Sequence, residues 1–139
     1  MVHALKEACR CLAAGGTLVD VRPLSLDAPV EVLTQHGWES ADLVDMSPDL
    51  PDDRAVDETL QEAIAAGRLK EVSLETFDFL DYWDHVEDMK AHFDEYWKDE
   101  AVLPEAVLER ARRLYESQPA GTKVRLRRQM KLGAYKSPH

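Results

Sequence analysis

The first 23 residues change from a helical to a strand-like pattern. Apolar side chains recur at helical spacing and predict a helix over residues 2–13, with its stripe at Leu5, Ala8, Cys9 and Leu12. Gly15-Gly16 follows and ends the helix, because glycine adopts positive φ without strain. The next run, 17–22, is apolar and β-branched up to Pro23. We therefore expect a strand over 17–22 that is buried in a sheet covered on both faces.

A β-hairpin is predicted next. Two strand-like runs, 29–35 and 38–45, flank His36-Gly37, and glycine at such a junction favours a tight turn. A short helix beginning at Pro29 is the alternative. Five further elements are predicted: a helix over 52–66 capped by Asp52 or Asp53, a strand over 69–82, a helix over 85–97 capped by Asp84, a helix from Pro104 to Gln118, and a strand over 123–135. The last strand carries Arg128 on its apolar face, which indicates a bulge or a buried acidic partner.

Composition limits the class of protein. The chain has 139 residues, of which 45% are apolar and 32% charged, as in a soluble globular protein of one domain. Residues 1–139 contain no linker, repeat or low-complexity tract and are interpreted as a single domain. No apolar run reaches the roughly 20 residues that span a bilayer, and the N-terminus is amphipathic, unlike a signal peptide. Cys9 and Cys11 point in different directions and cannot staple the fold, so we expect a cytoplasmic protein.

The net charge of −10 is unevenly distributed. Residues 39–100 hold 20 acids against five bases, whereas residues 110–139 hold nine bases against one acid. Such a split permits nucleic-acid binding by the C-terminal segment. No Gly-rich or aromatic-interleaved motif accompanies the bases, so we favour a basic strand that lies beside an acidic strand. The expected pairs join Arg125 and Arg127 to Glu71 and Glu75.

The segment that leads into strand 17–22 has the pattern Ala4-Leu5-x-x-Ala8-x-Arg10-x-Leu12-Ala13-x-Gly15-Gly16-Thr17-Leu18-Val19. It resembles class I S-adenosylmethionine-dependent methyltransferases (methyltransferase type 11-like), where a helix and a Gly-Gly turn lead into the fifth strand. The later elements follow the order of the family's C-terminal half. The resemblance implies an α/β fold, or α+β as a truncated piece. The expected architecture is a partial Rossmann-like methyltransferase sheet with an antiparallel C-terminal strand pair, the last strand lying between the fifth and sixth, and a β-hairpin.

The cofactor motifs of that family have no counterpart here. Members bind S-adenosylmethionine through a Gly-rich loop after strand one, an acidic residue that ends strand two and residues after strand four. All of these precede the part of the fold that this chain resembles, and Gly15-Gly16 belongs to a later turn. We therefore expect no cofactor for this chain alone, and S-adenosylmethionine only if a partner completes the site. No catalytic or cofactor-binding residue is assigned.

A sheet of this kind without its first four strands has an exposed apolar edge at strand 17–22. Such an edge favours pairing with another chain. We expect a homodimer with strand 17–22 or the N-terminal helix at the interface, and a complementing methyltransferase half is a further possible partner. A monomer in which the hairpin at 30–45 covers the edge is the alternative. Neither a membrane nor nucleic acid is expected as a partner.

Five residues are candidates for substrate binding. Asp20 and Arg22 end strand 17–22, and ligands of open α/β sheets lie beyond the carboxyl ends of the strands. A surface ion pair is the alternative for these two. Tyr82, Trp83 and His85 belong to a cluster that could line a pocket for a small aromatic or prenylated substrate, or form the core beside helix 85–97. The cluster comprises Phe77, Phe79, Tyr82, Trp83, His85, Phe93, Tyr96 and Trp97.

Three residues of the same region have the spacing of metal ligands. His85, Asp88 and His92 recur at steps of three and four, so they would share one face of the predicted helix. Acidic residues are common throughout this region, and no second tight cluster accompanies them. We therefore predict no metal site.

Three functions remain open. The first is a methyltransferase-like fragment that is not catalytically competent alone and acts as a small-molecule-binding or interaction protein. The second is an S-adenosylmethionine-dependent methyltransferase whose cofactor half is supplied by another chain or by missing upstream sequence. The third is a homodimeric scaffold without a ligand. Binding of the cofactor separates the second from the other two.

Overall fold

The computed structural model describes residues 1–138 as a mixed α/β structure with four α-helices and five strands. The helices are α1 (Val2–Cys11), α2 (Leu50–Ala65), α3 (Val86–Tyr96) and α4 (Glu105–Glu116). The strands are β1 (Thr17–Pro23), β2 (Ala28–Thr34), β3 (Gly37–Val44), β4 (Lys70–Trp83) and β5 (Val124–Lys136). The predicted order of elements is confirmed. The segment from Pro29 forms the hairpin strand, and the alternative of a helix there is wrong.

The strands form an antiparallel sheet in the order β1-β5-β2-β3, and β4 also pairs with β5. β1 pairs along 17–23 with residues 130–136, while β2 pairs with residues 124–126. Three strands, β1, β2 and β4, therefore pair with β5.

The chain divides into two compact units. Unit 1 comprises residues 1–24, 50–77 and those from 130 onward, and contains α1, β1 and α2 with parts of β4 and β5. Its core lies between the two helices and one face of the strands. The buried members are Leu5, Val56, Leu60, Ala63, Leu69 and Tyr135.

The expectation that strand 17–22 is covered on both faces is wrong. Val19 is 58% exposed and Val21 51% exposed, whereas Leu18 packs against the core of unit 1. Side chains of a strand alternate between its faces. In unit 1 the helices cover only the face that carries Leu18.

Unit 2 comprises residues 25–49 and 78–129. It contains the β2–β3 hairpin, α3 and α4, together with the remaining parts of β4 and β5. Gly37 has a φ of 98° where the hairpin turns, a conformation that glycine adopts without strain. The core of this unit is centred on Val30, Val32, Val44, Met89, Phe93, Leu108, Val124 and Leu126.

The predicted helix caps differ from those observed. α2 begins at Leu50, so Asp52 and Asp53 lie in its first turn and do not cap it. His85 is the N-cap residue of α3, and its side chain makes no capping hydrogen bond. Acidic residues in a first turn still interact favourably with the helix dipole, which explains why the helix positions were predicted correctly without the caps.

The basic C-terminal strand forms ion pairs within the chain. Arg125 and Arg127 both donate to Glu31 on β2, at 3.0 and 3.2 Å. Glu31 lies directly opposite Arg125 in the β2–β5 ladder and is only 8% exposed. The predicted residue pairs with Glu71 and Glu75 are therefore wrong, because the main partner is on β2. The prediction of an acidic strand beside the basic one is confirmed, since β4 pairs with β5 and its Asp78 lies 3.8 Å from Arg127.

Candidate functional sites

The first candidate site surrounds Arg22 at the carboxyl end of β1 in unit 1. Its Nε donates to both carboxylate oxygens of Asp20 at 2.8 and 2.9 Å, and Nη2 donates to Asp57 Oδ1 at 2.6 Å. Nη1 donates to the main-chain oxygen of Asp53 at 3.2 Å. Lys131 Nζ donates to the same Asp57 oxygen at 2.8 Å. All three nitrogens of the guanidinium group are therefore used within the chain.

The local structure explains this cluster. Arg22 and Lys131 lie directly opposite each other in the β1–β5 ladder, an unfavourable position for two like charges. Asp57 on α2 accepts from both cations and relieves their repulsion. Arg22 is only 4% exposed, so its charge needs these carboxylates in order to be buried at all.

The electrostatics of the Arg22 cluster stabilise its charged form. Burial would lower the pKa of Arg22, but the hydrogen bonds to Asp57 and Asp20 outweigh it and raise that pKa. Burial would likewise raise the pKa of Asp57, but the hydrogen bonds from Lys131 and Arg22 outweigh it and lower that pKa. Burial, followed by the charge of Asp20, raises the pKa of Tyr135. The cluster therefore has the electrostatics of a structural ion-pair network.

Asp20 and Arg22, predicted as binding residues, are thus brought together by the structure. They form the predicted ion pair, although Arg22 lies inside unit 1 and not on its surface. Sequence reasoning missed Asp53, Asp57 and Lys131. The i,i+4 spacing of the two acids on α2 was visible, but the strand register that places Lys131 beside Arg22 was not.

The aromatic candidates of unit 2 separate to two faces of β4. Tyr82 packs against Trp38 of β3, with ring centroids 5.8 Å apart. Trp83 packs edge-on against His92 and Trp97, at 5.5 and 6.2 Å. Both Trp83 and Trp97 contact the core of unit 2. Phe93, Trp83 and Trp97 thus agree with the core alternative. The other aromatic members do not, because they are 41–62% exposed: Phe77, Phe79, Tyr82 and Tyr96.

Arg128 completes this aromatic cluster. Its guanidinium lies 4.8 Å from the Trp97 ring centroid and 5.5 Å from that of Phe79, at cation–π distances. Its Nε donates to Asp81 at 2.9 Å. Of the two predicted alternatives for Arg128, a bulge or a buried acidic partner, the structure shows the acidic partner, in a pair that is partly buried, with the arginine side chain 16% and the aspartate side chain 21% exposed.

His85 lines a cleft of about 360 Å³ between the start of α3 and the end of α4. The Tyr115 hydroxyl lies 2.6 Å from the main-chain oxygen of Asp84 and 2.8 Å from His85 Nδ1. A hydroxyl has one proton. Since the proton goes to the carbonyl oxygen, the hydroxyl accepts from Nδ1–H, and Nε2 of His85 is left as an acceptor. The structure describes no partner for that nitrogen within residues 1–138.

The metal triad suggested by spacing does not assemble. His85 contacts Tyr115, whereas His92 packs against the rings of Trp83, Tyr96 and Trp97. Among residues 1–138 no three His, Cys, Asp or Glu side chains are placed to hold a metal ion. The chemistry available at His85 is therefore that of a single imidazole acceptor.

Comparison with other proteins adds no assignment. No family model, curated protein or solved structure matches this chain. None of the helices described within residues 1–138 is both long and apolar enough to cross a membrane.

Proposed function

We propose that this chain is a methyltransferase-like module that acts through contact with a partner and does not transfer methyl groups by itself. The strand order supports the relationship to the methyltransferases. The C-terminal strand β5 is antiparallel to β1 and also pairs with β4, and the resemblance expects an antiparallel seventh strand that pairs with the fifth and the sixth. The helices α1 and α2 contribute to one core beside β1, as expected of the helices that flank a fifth strand.

The open edge of β1 is the observation that carries the interaction role. β1 pairs with β5 on one edge, and the structure places no strand from residues 1–138 on the other. Val19 and Val21 on this strand are 58% and 51% exposed. Unpaired main-chain groups beside exposed apolar side chains favour the addition of a strand from another chain.

The Arg22 cluster argues against a small anionic ligand at the end of β1. All three guanidinium nitrogens already donate within the chain. Among the described residues, every buried side-chain nitrogen and oxygen has a hydrogen-bond partner. A ligand would have to displace a paired carboxylate and leave it unpaired in a buried position, which costs several kcal/mol. Contact with a partner along β1 requires no such displacement.

A methyltransferase completed by a second polypeptide is the second candidate. The same open edge favours it, because the resemblance places a neighbouring strand of the cofactor half there. In that case the chain alone still contributes no Gly-rich loop. The two candidates differ in whether a partner brings a cofactor site with it.

Calorimetric titration of the purified chain with S-adenosylhomocysteine tests the proposal. We expect no saturable heat from the chain alone. Saturable binding at micromolar concentrations would show a complete cofactor site and overturn the proposal. Arg22→Met serves in that event to locate the site, since it changes the carboxyl end of β1 and leaves the His85 cleft intact.

A further inference from the structure

Three edge strands of the sheet are open to a second chain, and they differ in charge and regularity. β3 contains Asp42 at a φ of 89°, which interrupts its extended backbone. β4 carries four carboxylates and one lysine, so pairing with a copy of itself would bring eight acids together. β1 carries one acid, Asp20, and one base, Arg22, and has no net charge. Only β1 combines a regular edge with charges that suit self-pairing.

We propose that two copies of this chain pair antiparallel through the open edges of β1, with the two-fold axis at Val21. This inference rests on the proposed role of β1 as a contact strand and names a second copy as its partner. In this register Asp20 lies opposite Arg22 of the second copy, so no like charges face each other, and the ion pairs within each chain stay in place. Val19 lies opposite Pro23 of the second copy.

The register follows from charge complementarity. In a two-fold antiparallel pair, residues that face each other lie on the same face of the sheet. An axis at Asp20 would place that acid opposite its own copy, and an axis at Arg22 would do the same with two bases. An axis at Val19 would place Asp20 opposite Leu18. The axis at Val21 places opposite charges across from each other twice, and the ion pairs within each chain stay intact.

The exposed face of β1 supports the same register. Val21 is 51% exposed and would meet its own copy at the axis. Val19 is 58% exposed and would contact Pro23 of the second copy across the open edge. Main-chain hydrogen bonds provide the rest of the contact, as in other strand additions.

The proposed interface is small. The paired segment covers residues 19–23 alone, so it is smaller than a standard stable interface of about 1,200–2,000 Å². The dimer is therefore reversible and depends on concentration.

Sedimentation velocity over a range of protein concentrations tests this dimer. We compare the wild type with Val21→Lys and with the matched control Val72→Lys, a residue of β4 that is 56% exposed. The wild type and Val72→Lys should dimerise alike, while Val21→Lys places two like charges at the axis and weakens association by roughly tenfold or more. A wild type that stays monomeric overturns the inference, as does an equal effect of the two lysines, which indicates a contact through the sheet face.

Disulfide cross-linking tests the same register with a substitution that introduces no charge. Val21→Cys is made in a Cys9→Ser/Cys11→Ser background, with Val72→Cys as its control. Directly opposed residues have Cβ atoms about 4.5–5.5 Å apart, close to the separation that a disulfide needs. Rapid oxidation to a dimer at position 21 alone supports the inference, and equal or slower oxidation there overturns it. Titration with S-adenosylhomocysteine on the same samples keeps the two proposals separate: binding overturns the proposed function, and a monomer overturns only the dimer.

Discussion

Removal of the buried guanidinium by Arg22→Met should lower the free energy of unfolding by about 3 kcal/mol at neutral pH. Breaking a buried ion pair by removing one partner costs about 3–5 kcal/mol, because the other charge stays buried without compensation. The side chain of Asp20 is 12% exposed and would be left in that position. Asp57 is 46% exposed and keeps Lys131, so the expected loss lies at the lower end of the range.

The loss of unfolding free energy caused by Arg22→Met should be smaller at acidic pH. In the fold the pKa of Asp57 is lowered, since the hydrogen bonds from Lys131 and Arg22 outweigh the effect of burial. A carboxyl with a lowered pKa stabilises the fold above its unfolded value, near 3.8, and loses this contribution as the pH falls through the folded value. The Arg22→Met variant lacks the part of this stabilisation that comes from the hydrogen bond between Arg22 and Asp57. The difference between the two proteins is therefore largest at neutral pH and smaller below about pH 4.

Urea unfolding followed by far-UV circular dichroism measures this difference at several pH values. Arg10→Met is the matched control, because its side chain is 70% exposed and its pair with Glu7 is worth at most about 1 kcal/mol. The three tryptophans, Trp38, Trp83 and Trp97, belong to unit 2, so their fluorescence follows the other unit in the same samples. A loss from Arg22→Met no larger than that from Arg10→Met would refute the reasoning, as would a difference that grows in acid.

Three further changes test the packing, measured by urea unfolding. Leu60→Ala should cost about 2–5 kcal/mol, because Leu60 is 2% exposed in the core of unit 1 and its truncation leaves a cavity. Gly37→Ala should cost about 1–2 kcal/mol, since a φ of 98° strains any residue with a Cβ. Arg125→Glu should cost about 3 kcal/mol or more, because it leaves Glu31 facing a like charge. The same change removes the guanidinium 4.1 Å from the Trp38 ring, so tryptophan emission should shift.

Periodicity predicted the elements because it reports which face of each one is apolar. The stripe of α2 is an example: Val56, Leu60 and Ala63 are its buried residues, and their spacing of four and three is that of one helix face. The hairpin was predicted because its turn has a local requirement for positive φ, which Gly37 meets. These features depend on residues a few positions apart and can be read from the sequence.

Long-range pairing was not predictable in the same way. The alternation of β1 was clear, but it does not say how many layers cover the strand, and Val19 and Val21 are exposed where burial was expected. Likewise, charge counts indicated the acidic strand β4 as a neighbour of the basic strand, which is correct, but not the residue that faces Arg125. The neighbour of Arg125 is Glu31, which is 94 residues away in the chain. Only the strand register brings them together.

The two faces of β1 assign it two different roles. On one face of β1, Arg22 forms ion pairs with carboxylates of α2. All three nitrogens of its guanidinium group already donate hydrogen bonds within the chain. The opposite face presents Val21 to solvent beside an edge where no strand of the described chain pairs. A ligand on the first face must break buried ion pairs, whereas a strand added at the edge breaks none. For that reason the charged end of β1 stabilises the fold, and its open edge is where we propose contact with another chain.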